Sequence, residues 1–238
     1  MIRQIIGSRG KRIIIDIDTQ KDLLFADGCQ CIRNHRRVLI HIRRIMAWAR
    51  LKHIPVISIS KVYPNNNNGV SNGHCIHGTD GQRKISYTLL SSRAGFAADN
   101  NINFPADILR RYRQIILHKR CSDPFDEPRI ERLLSEIRAN EFILIGAYTE
   151  DAVKATALGL LQRGRNVTVL TDAVGSQDKD EAKLALRKMK AKGARLIETK
   201  TIAGTSSLKL VGVCDCKMCR QRQIREPVQI RPLPYVVH

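Results

Sequence analysis

Residues 141–164 read EFILIGAYTEDAVKATALGLLQRG. The apolar run Phe142 to Ile145 stops at Gly146 and gives way within five residues to apolar positions at helical spacing, the pattern of a buried parallel strand feeding a helix. At such a junction the backbone N–H groups from Ala147 to Ala152 precede the helical hydrogen-bond ladder and point into the crevice beyond the strand end. The expected occupant is an anion or a developing oxyanion.

Strand and helix signals repeat on both sides. Upstream, RIIIDIDTQKDLLF (12–25) opens with the β-branched run Ile13 to Ile15, which predicts a central first strand ending in two alternate acidic residues, Asp16 and Asp18. Period-2 geometry puts both carboxylates on one side of that strand, and only Asp18 reaches its carboxyl end, where ligands bind in open α/β sheets. The helical spacing of Val38, Leu39, Ile42, Ile45, Met46 and Ala49 predicts a crossover helix within residues 34–52, with arginines on its other face. His35, His41 and His53 around it read as surface residues. Ile54 to Ser60 and Gln114 to His118 are further strands, separated by a long loop and an irregular stretch. Downstream come a helix over Pro128 to Ala139, the helix Glu150 to Arg163, a strand over Val167 to Leu170, a helix closing at Gly193 and a short strand to Glu198. The fold class is therefore α/β, a Rossmann-like, doubly wound, mainly parallel six-stranded sheet flanked by helices.

A chain of 238 residues suits one such domain over residues 1–200 with a tail over residues 201–238. Lys and Arg number 41 against 22 Asp and Glu, and the resulting net charge of +19 attracts polyanions without specificity. Aromatic residues make up only 5%, and no basic stretch is interleaved with them, so a nucleic-acid partner rests on charge alone. The N-terminus MIRQIIGSRGKR has no apolar stretch of leader length and no run approaches a membrane span, so a cytoplasmic protein without a membrane partner is expected. Seven cysteines in such a chain point to reduced thiols or metal ligands over disulfides.

Several motifs together resemble the isochorismatase-like superfamily, the cysteine hydrolases. GAYTEDAVKATA (146–157) is similar to its G-x-x-T-x-x-C-V-x-x-T-A segment, Asp18, Gln20, Asp22 and Leu23 to D-x-Q-x-D-[FL], and NVTVLTDAVGS (166–176) to V-x-V-x-x-D-A-x-x-S. HCIHGTDG (74–81) resembles the H-C-x-x-G-T-x-G of nicotinamidases, and Lys119, followed by Ser122 and Phe125, stands where the family has a strand-end lysine. The resemblance spans about Lys11 to Thr199. It implies that Asp18 is the catalytic acid or base, that Lys119 beside it holds an anionic group, and that the nucleophile's position falls on Ala152. Most members carry a cysteine there that attacks an amide or imide carbonyl, whereas a methyl group can attack nothing.

The true isochorismatases also lack that cysteine and carry tyrosine in G-x-Y, as Gly146 and Tyr148 do; they hydrolyse a vinyl ether by protonation of carbon followed by water. The resemblance thus implies one of two things. The first is a non-covalent hydrolase of a small anionic substrate, with Asp18 as acid, Lys119 and the turn at Ala147 and Tyr148 as electrophilic partners, and Lys61 and His74 also at the substrate. The second is a catalytically inactive relative that serves as a binding or assembly module. A homo-oligomer is expected in either case. Where nicotinamidase-like relatives carry an Asp-x-His metal pair after the second strand, Ser58 to Lys61 offer no ligand. No cofactor is then required, and His74 belongs to its loop (62–85) rather than to a metal. Cys121, close to Lys119, is not placed by spacing at position 152.

The tail carries Cys214, Cys216 and Cys219 in C-x-C-x-x-C order. Three thiols within six residues could supply most of a structural zinc site, completed by Cys29 and Cys31 if the tail folds back, but no fourth ligand is fixed by spacing and reduced, unliganded cysteines are the alternative.

Overall fold

A computed structural model describes residues 12–65, 73–105 and 107–204. Its strands are β1 (Arg12–Ile17), β2 (Val56–Lys61), β3 (Arg93–Phe96), β4 (Gln114–Lys119), β5 (Glu141–Gly146), β6 (Val167–Val174) and β7 (Arg195–Ile197). They form one sheet in the order β3-β4-β2-β1-β5-β6-β7, every neighbouring pair parallel. The helices are α1 (Lys21–Leu24), α2 (His35–Leu51), α3 (Ile108–Arg111), α4 (Pro128–Glu136), α5 (Lys154–Gln162), α6 (Lys179–Ala191) and α7 (Thr199–Ala203). The doubly wound α/β architecture is the one the sequence predicts, with β1 at the centre, but the sheet has seven strands rather than six. The extra one, β3, is the four-residue edge strand RAGF, whose half-exposed, unbranched residues give no strand signal.

Side-chain parity divides the core into two layers. Ile13, Ile15 and Ile17 pack with Ile57, Ile59, Ile115 and Leu117 against Ile130 and Leu133 of α4, Leu160 of α5 and Met189 of α6. On the other face Ile14, Val56, Ile143 and Ile145 meet Val38, Leu39, Ile42, Ile45, Met46 and Ala49 of α2. Each such side chain contributes about 1.5–3 kcal/mol on burial, so a one-residue slip of β1 would expose a whole row and the register is firmly specified.

Two helix boundaries differ from expectation. Helix α4 stops at Glu136 because Ile137 turns to extended backbone. The helix expected from Glu150 begins at Lys154, preceded by one turn of π-helix over Thr149–Val153; such insertions are rare and concentrate at functional sites. His41 is not a plain surface residue. Its Nδ1 lies 2.9 Å from Asp172 Oδ2, and Asp172 also accepts from the Thr199 backbone N–H and hydroxyl, so one carboxylate ties α2, β6 and α7 together. Among the described residues no helix is long and apolar enough to cross a membrane.

Candidate active site

The carboxyl ends of β4, β2, β1 and β5 lie side by side, with Lys119 opposite Lys61 and Ile17 opposite Gly146 in the ladders. At that last crossing the chains approach so closely that a Cβ on Gly146 would sit 1.9 Å from the Ile17 carbonyl oxygen, and φ there is 140°. Both features exclude any residue but glycine. The turn that follows spends several of its donors on the scaffold: Ala147 N–H donates to Ile17 O at 2.9 Å, Thr149 N–H to Gly175 O at 2.8 Å and Asp151 N–H to Tyr148 O at 3.1 Å. The row of open donors expected from Ala147 to Ala152 is therefore not open at Ala147, Thr149 or Asp151. Tyr148 takes a left-handed conformation, φ 57°, as the chain swings into the π turn.

Asp18 follows the end of β1, and its φ of 51° breaks the strand alternation. Regular pleating would send its side chain with Asp16 and Ile14. Instead its Oδ2 lies 3.0 Å from Nζ of Lys119, a residue with the parity of Ile115 and Leu117 in the opposite layer. The two side chains are 1% and 0% exposed. Lys119 Nζ also donates to the Cys121 and Ser122 carbonyls, each at 3.2 Å. Neither carboxylate oxygen of Asp18 accepts an aligned hydrogen bond among the described residues, so the ammonium touches it as an ion rather than as a directed donor. Asp16, expected on the same side, has a separate environment. It accepts from the Thr19 hydroxyl at 2.6 Å and the Ser58 hydroxyl at 2.7 Å, and pairs with buried Lys84 at 2.7 Å.

Lys61 stands at the outer edge of the crevice. Its Nζ is 3.5 Å from Ser122 Oγ and 5.0 Å from the centroid of the Tyr63 ring, which in turn meets the His74 ring edge-on at 5.2 Å. Burial pulls the Lys61 ammonium pKa down, but Tyr63, Asp18 and Asp151 outweigh it and raise the pKa above lysine's usual value. Ser122 donates its hydroxyl to Asp151 Oδ2 at 2.7 Å. The matched residues Gln20 and Asp22 act on the backbone of the surrounding loop: Gln20 accepts from Lys61 N–H and donates to the Lys61 and Gln82 carbonyls, and Asp22 accepts from Cys75 N–H at 2.7 Å.

Position 152 is filled by a methyl group that is 1% exposed and packed in the apolar cluster of Ile17 and Leu117. Cys121 is exposed, with its carbonyl and not its sulfur turned to Lys119. A different thiol was overlooked in the sequence, where HCIHGTDG drew attention to His74 alone. Cys75 is fully buried at φ 51°, and its pKa is pushed far up, by burial first and then by Asp18 and Asp22, with Lys61 and Lys119 opposing. Burial and the neighbouring carboxylates thus oppose formation of a thiolate at this position. Burial likewise lifts the Tyr148 phenol to about 12, with Cys75, Asp18 and Glu150 adding to the rise and a hydrogen bond to Gln177 opposing it.

Among the described residues no three His, Cys, Asp or Glu side chains stand close enough together to hold a metal ion. In the segment where a carboxylate and an imidazole would be needed, Ser58 is committed to Asp16. Cys214, Cys216 and Cys219 lie outside the described residues, while Cys29 is exposed and Cys31 half-buried. A cavity of about 820 Å³ opens at the amino ends of β1, β5 and β6, away from Asp18 and Lys119. Two of its basic residues, Arg12 and Arg195, are already paired with Glu141.

The family model described as "Isochorismatase domain" matches residues 12–201. Solved structures share the fold at low identity. The nicotinamidase/pyrazinamidase from Bacillus subtilis is 18% identical, with a TM-score of 0.63 over 79% of this chain and 100% of its own. The pyrazinamidase of Pyrococcus horikoshii in complex with zinc is 19% identical, with a TM-score of 0.60 over 79% and 99%. The MAR1 ribonuclease from Caenorhabditis elegans is 20% identical, with a TM-score of 0.53 over 95% and 97%. No curated protein sequence matches significantly.

Proposed function

Because the chain belongs to the isochorismatase family, we propose that it hydrolyses a small anionic substrate without a covalent enzyme intermediate. The observation that carries this reading is the Asp18–Lys119 pair, fully buried and mounted on left-handed backbone at Asp18. A buried ion pair seldom adds stability over apolar residues of the same volume, and a strained φ at a non-glycine residue costs about 1–3 kcal/mol. A fold that keeps both at a strand-end crevice is supported better by a role in chemistry than by one in folding. In this reading Asp18 takes up a proton before the reaction and donates it to the substrate, and Lys119 pairs with the carboxylate that remains. Lys61 attracts the substrate's anionic group, and the turn at Tyr148 and the His74–Tyr63 pair border the space. With Ala152 in the nucleophile's position, water makes the attack.

The test is a panel of anionic vinyl ethers, isochorismate among them, and of amides, the latter because the Bacillus subtilis relative is named a nicotinamidase. Turnover is expected from the unaltered protein, and Asp18→Asn should abolish it with the circular dichroism spectrum unchanged. No turnover anywhere in the panel would leave a binding or assembly module, the reading that Ala152 favours. A second reading, RNA as the anionic substrate, is favoured by the +19 net charge and by the likeness to the MAR1 ribonuclease, which takes in 95% of the chain against 79% for the amidases. Binding of that kind collapses along a steep salt slope, and no binding at low salt would end it. Structural zinc at Cys214, Cys216 and Cys219 predicts about one zinc per purified chain; metal content near zero would dispose of it.

A further inference from the structure

We propose that Asp151 is the general base that activates the attacking water, an assignment that rests on the hydrolase reading above. A site without an enzyme nucleophile needs a group to take the proton that water sheds as it bonds to carbon. Asp151 immediately precedes Ala152 in the π turn that follows β5, so its carboxylate is carried by the same turn as the nucleophile's position. It is half-buried, and its Oδ2 accepts from Ser122 Oγ at 2.7 Å, a bond that fixes the direction in which the carboxylate points. The same Ser122 contributes the carbonyl that receives Lys119 Nζ, so one residue connects the base to the Asp18–Lys119 pair. The charged groups around Asp151 are Lys61, on which both Asp151 and Asp18 act, and Lys119, reached through Ser122; Glu150 beside it is turned to Gln177 N–H. Lys61 thus stands under the influence of two carboxylates, which suits an ammonium that holds the substrate's charge between an acid and a base.

For a vinyl ether the step balances as follows. The Asp18 carboxyl proton goes to the terminal alkene carbon, leaving an oxocarbenium ion. Water oxygen forms a bond to the cationic carbon while one of its protons passes to Asp151, giving a hemiketal. Collapse breaks the C–O bond to the leaving group, which departs as an alcohol with the remaining water proton and leaves a ketone. One proton has moved from Asp18 to Asp151, and exchange with solvent restores both. In this scheme one carboxyl group gives a proton and another receives one, the division of labour of paired catalytic carboxylates.

The experiment is steady-state kinetics of Asp151→Ala with and without added formate, on the substrate that the unaltered protein turns over. Loss of the base should lower kcat by about 10²–10⁴-fold with KM little changed, and formate, a small carboxylate that can occupy the gap, should restore part of kcat. Asp151→Asn, which keeps shape and can still meet Ser122, should be equally slow. Turnover of either variant at the unaltered rate, or a loss in Asp151→Ala that formate leaves untouched, would overturn the assignment while the hydrolase reading stands. No turnover by the unaltered protein would overturn the reading and the base together.

Discussion

Two buried ion pairs stand two residues apart at the start of this chain, and they are built on different terms. Asp16 is saturated: the hydroxyls of Thr19 and Ser58 and the ammonium of Lys84 all point at it, and its backbone is ordinary strand. Lys84 is likewise shared with Thr19 Oγ1 at 2.6 Å. Among the described residues Asp18 has a single cation in contact, at 3.0 Å, and no aligned donor, and its φ is left-handed. The first pair satisfies every atom that it buries, which is how a polar group is kept inside a protein without penalty. The second leaves acceptor capacity unused in a crevice, the condition in which a carboxylate can still meet something else.

If the contrast is real, the two aspartates should fail in different assays. The largest effect is expected from Asp18→Asn, which should lower turnover by about 10²–10⁴-fold in a kinetic assay. Asp16→Asn should leave turnover unchanged and lower stability by about 3–5 kcal/mol in urea denaturation, because it strands Lys84 in the interior. In the same denaturation assay Asp18→Asn should cost less, about 1–3 kcal/mol, since Lys119 keeps the Cys121 and Ser122 carbonyls. Replacing both Asp16 and Lys84 by Leu and Met should recover most of the loss. Equal losses for the two aspartates would erase the distinction.

The smallest effect concerns pH. Folding raises the Tyr148 pKa from the usual 10 to about 12, so the folded state favours the neutral phenol. That contribution is complete below pH 10 and is lost as pH rises towards 12. Stability measured across that range should fall, and Tyr148→Phe should flatten part of the slope.

Most of the fold was legible because β1, β2, β4, β5 and β6 are apolar runs bounded by turn residues, and because α2 and α6 carry their stripes at helical spacing. β3 was not, since an edge strand of Arg, Ala, Gly and Phe resembles loop in composition. Within the crevice, Asp18, Lys119 and position 152 were readable as strand-end residues carried by motif. What was not readable arrives from elsewhere in the chain or from backbone torsion. Lys84 reaches Asp16 across 68 positions, Cys75 enters on a loop pinned by Asp22, and Ser122 meets Asp151 across 29. The different environments of Asp16 and Asp18 follow from one φ angle, which period-2 reasoning assumes away.

The burial of Ala152 carries a consequence for substitution at that position. Its side chain is 1% exposed and belongs to the apolar cluster that also holds Ile17 and Leu117, so a larger side chain at this point would have to find room in a packed interior. Placing a thiol there would therefore demand repacking of the side chains around it as well as the substitution itself.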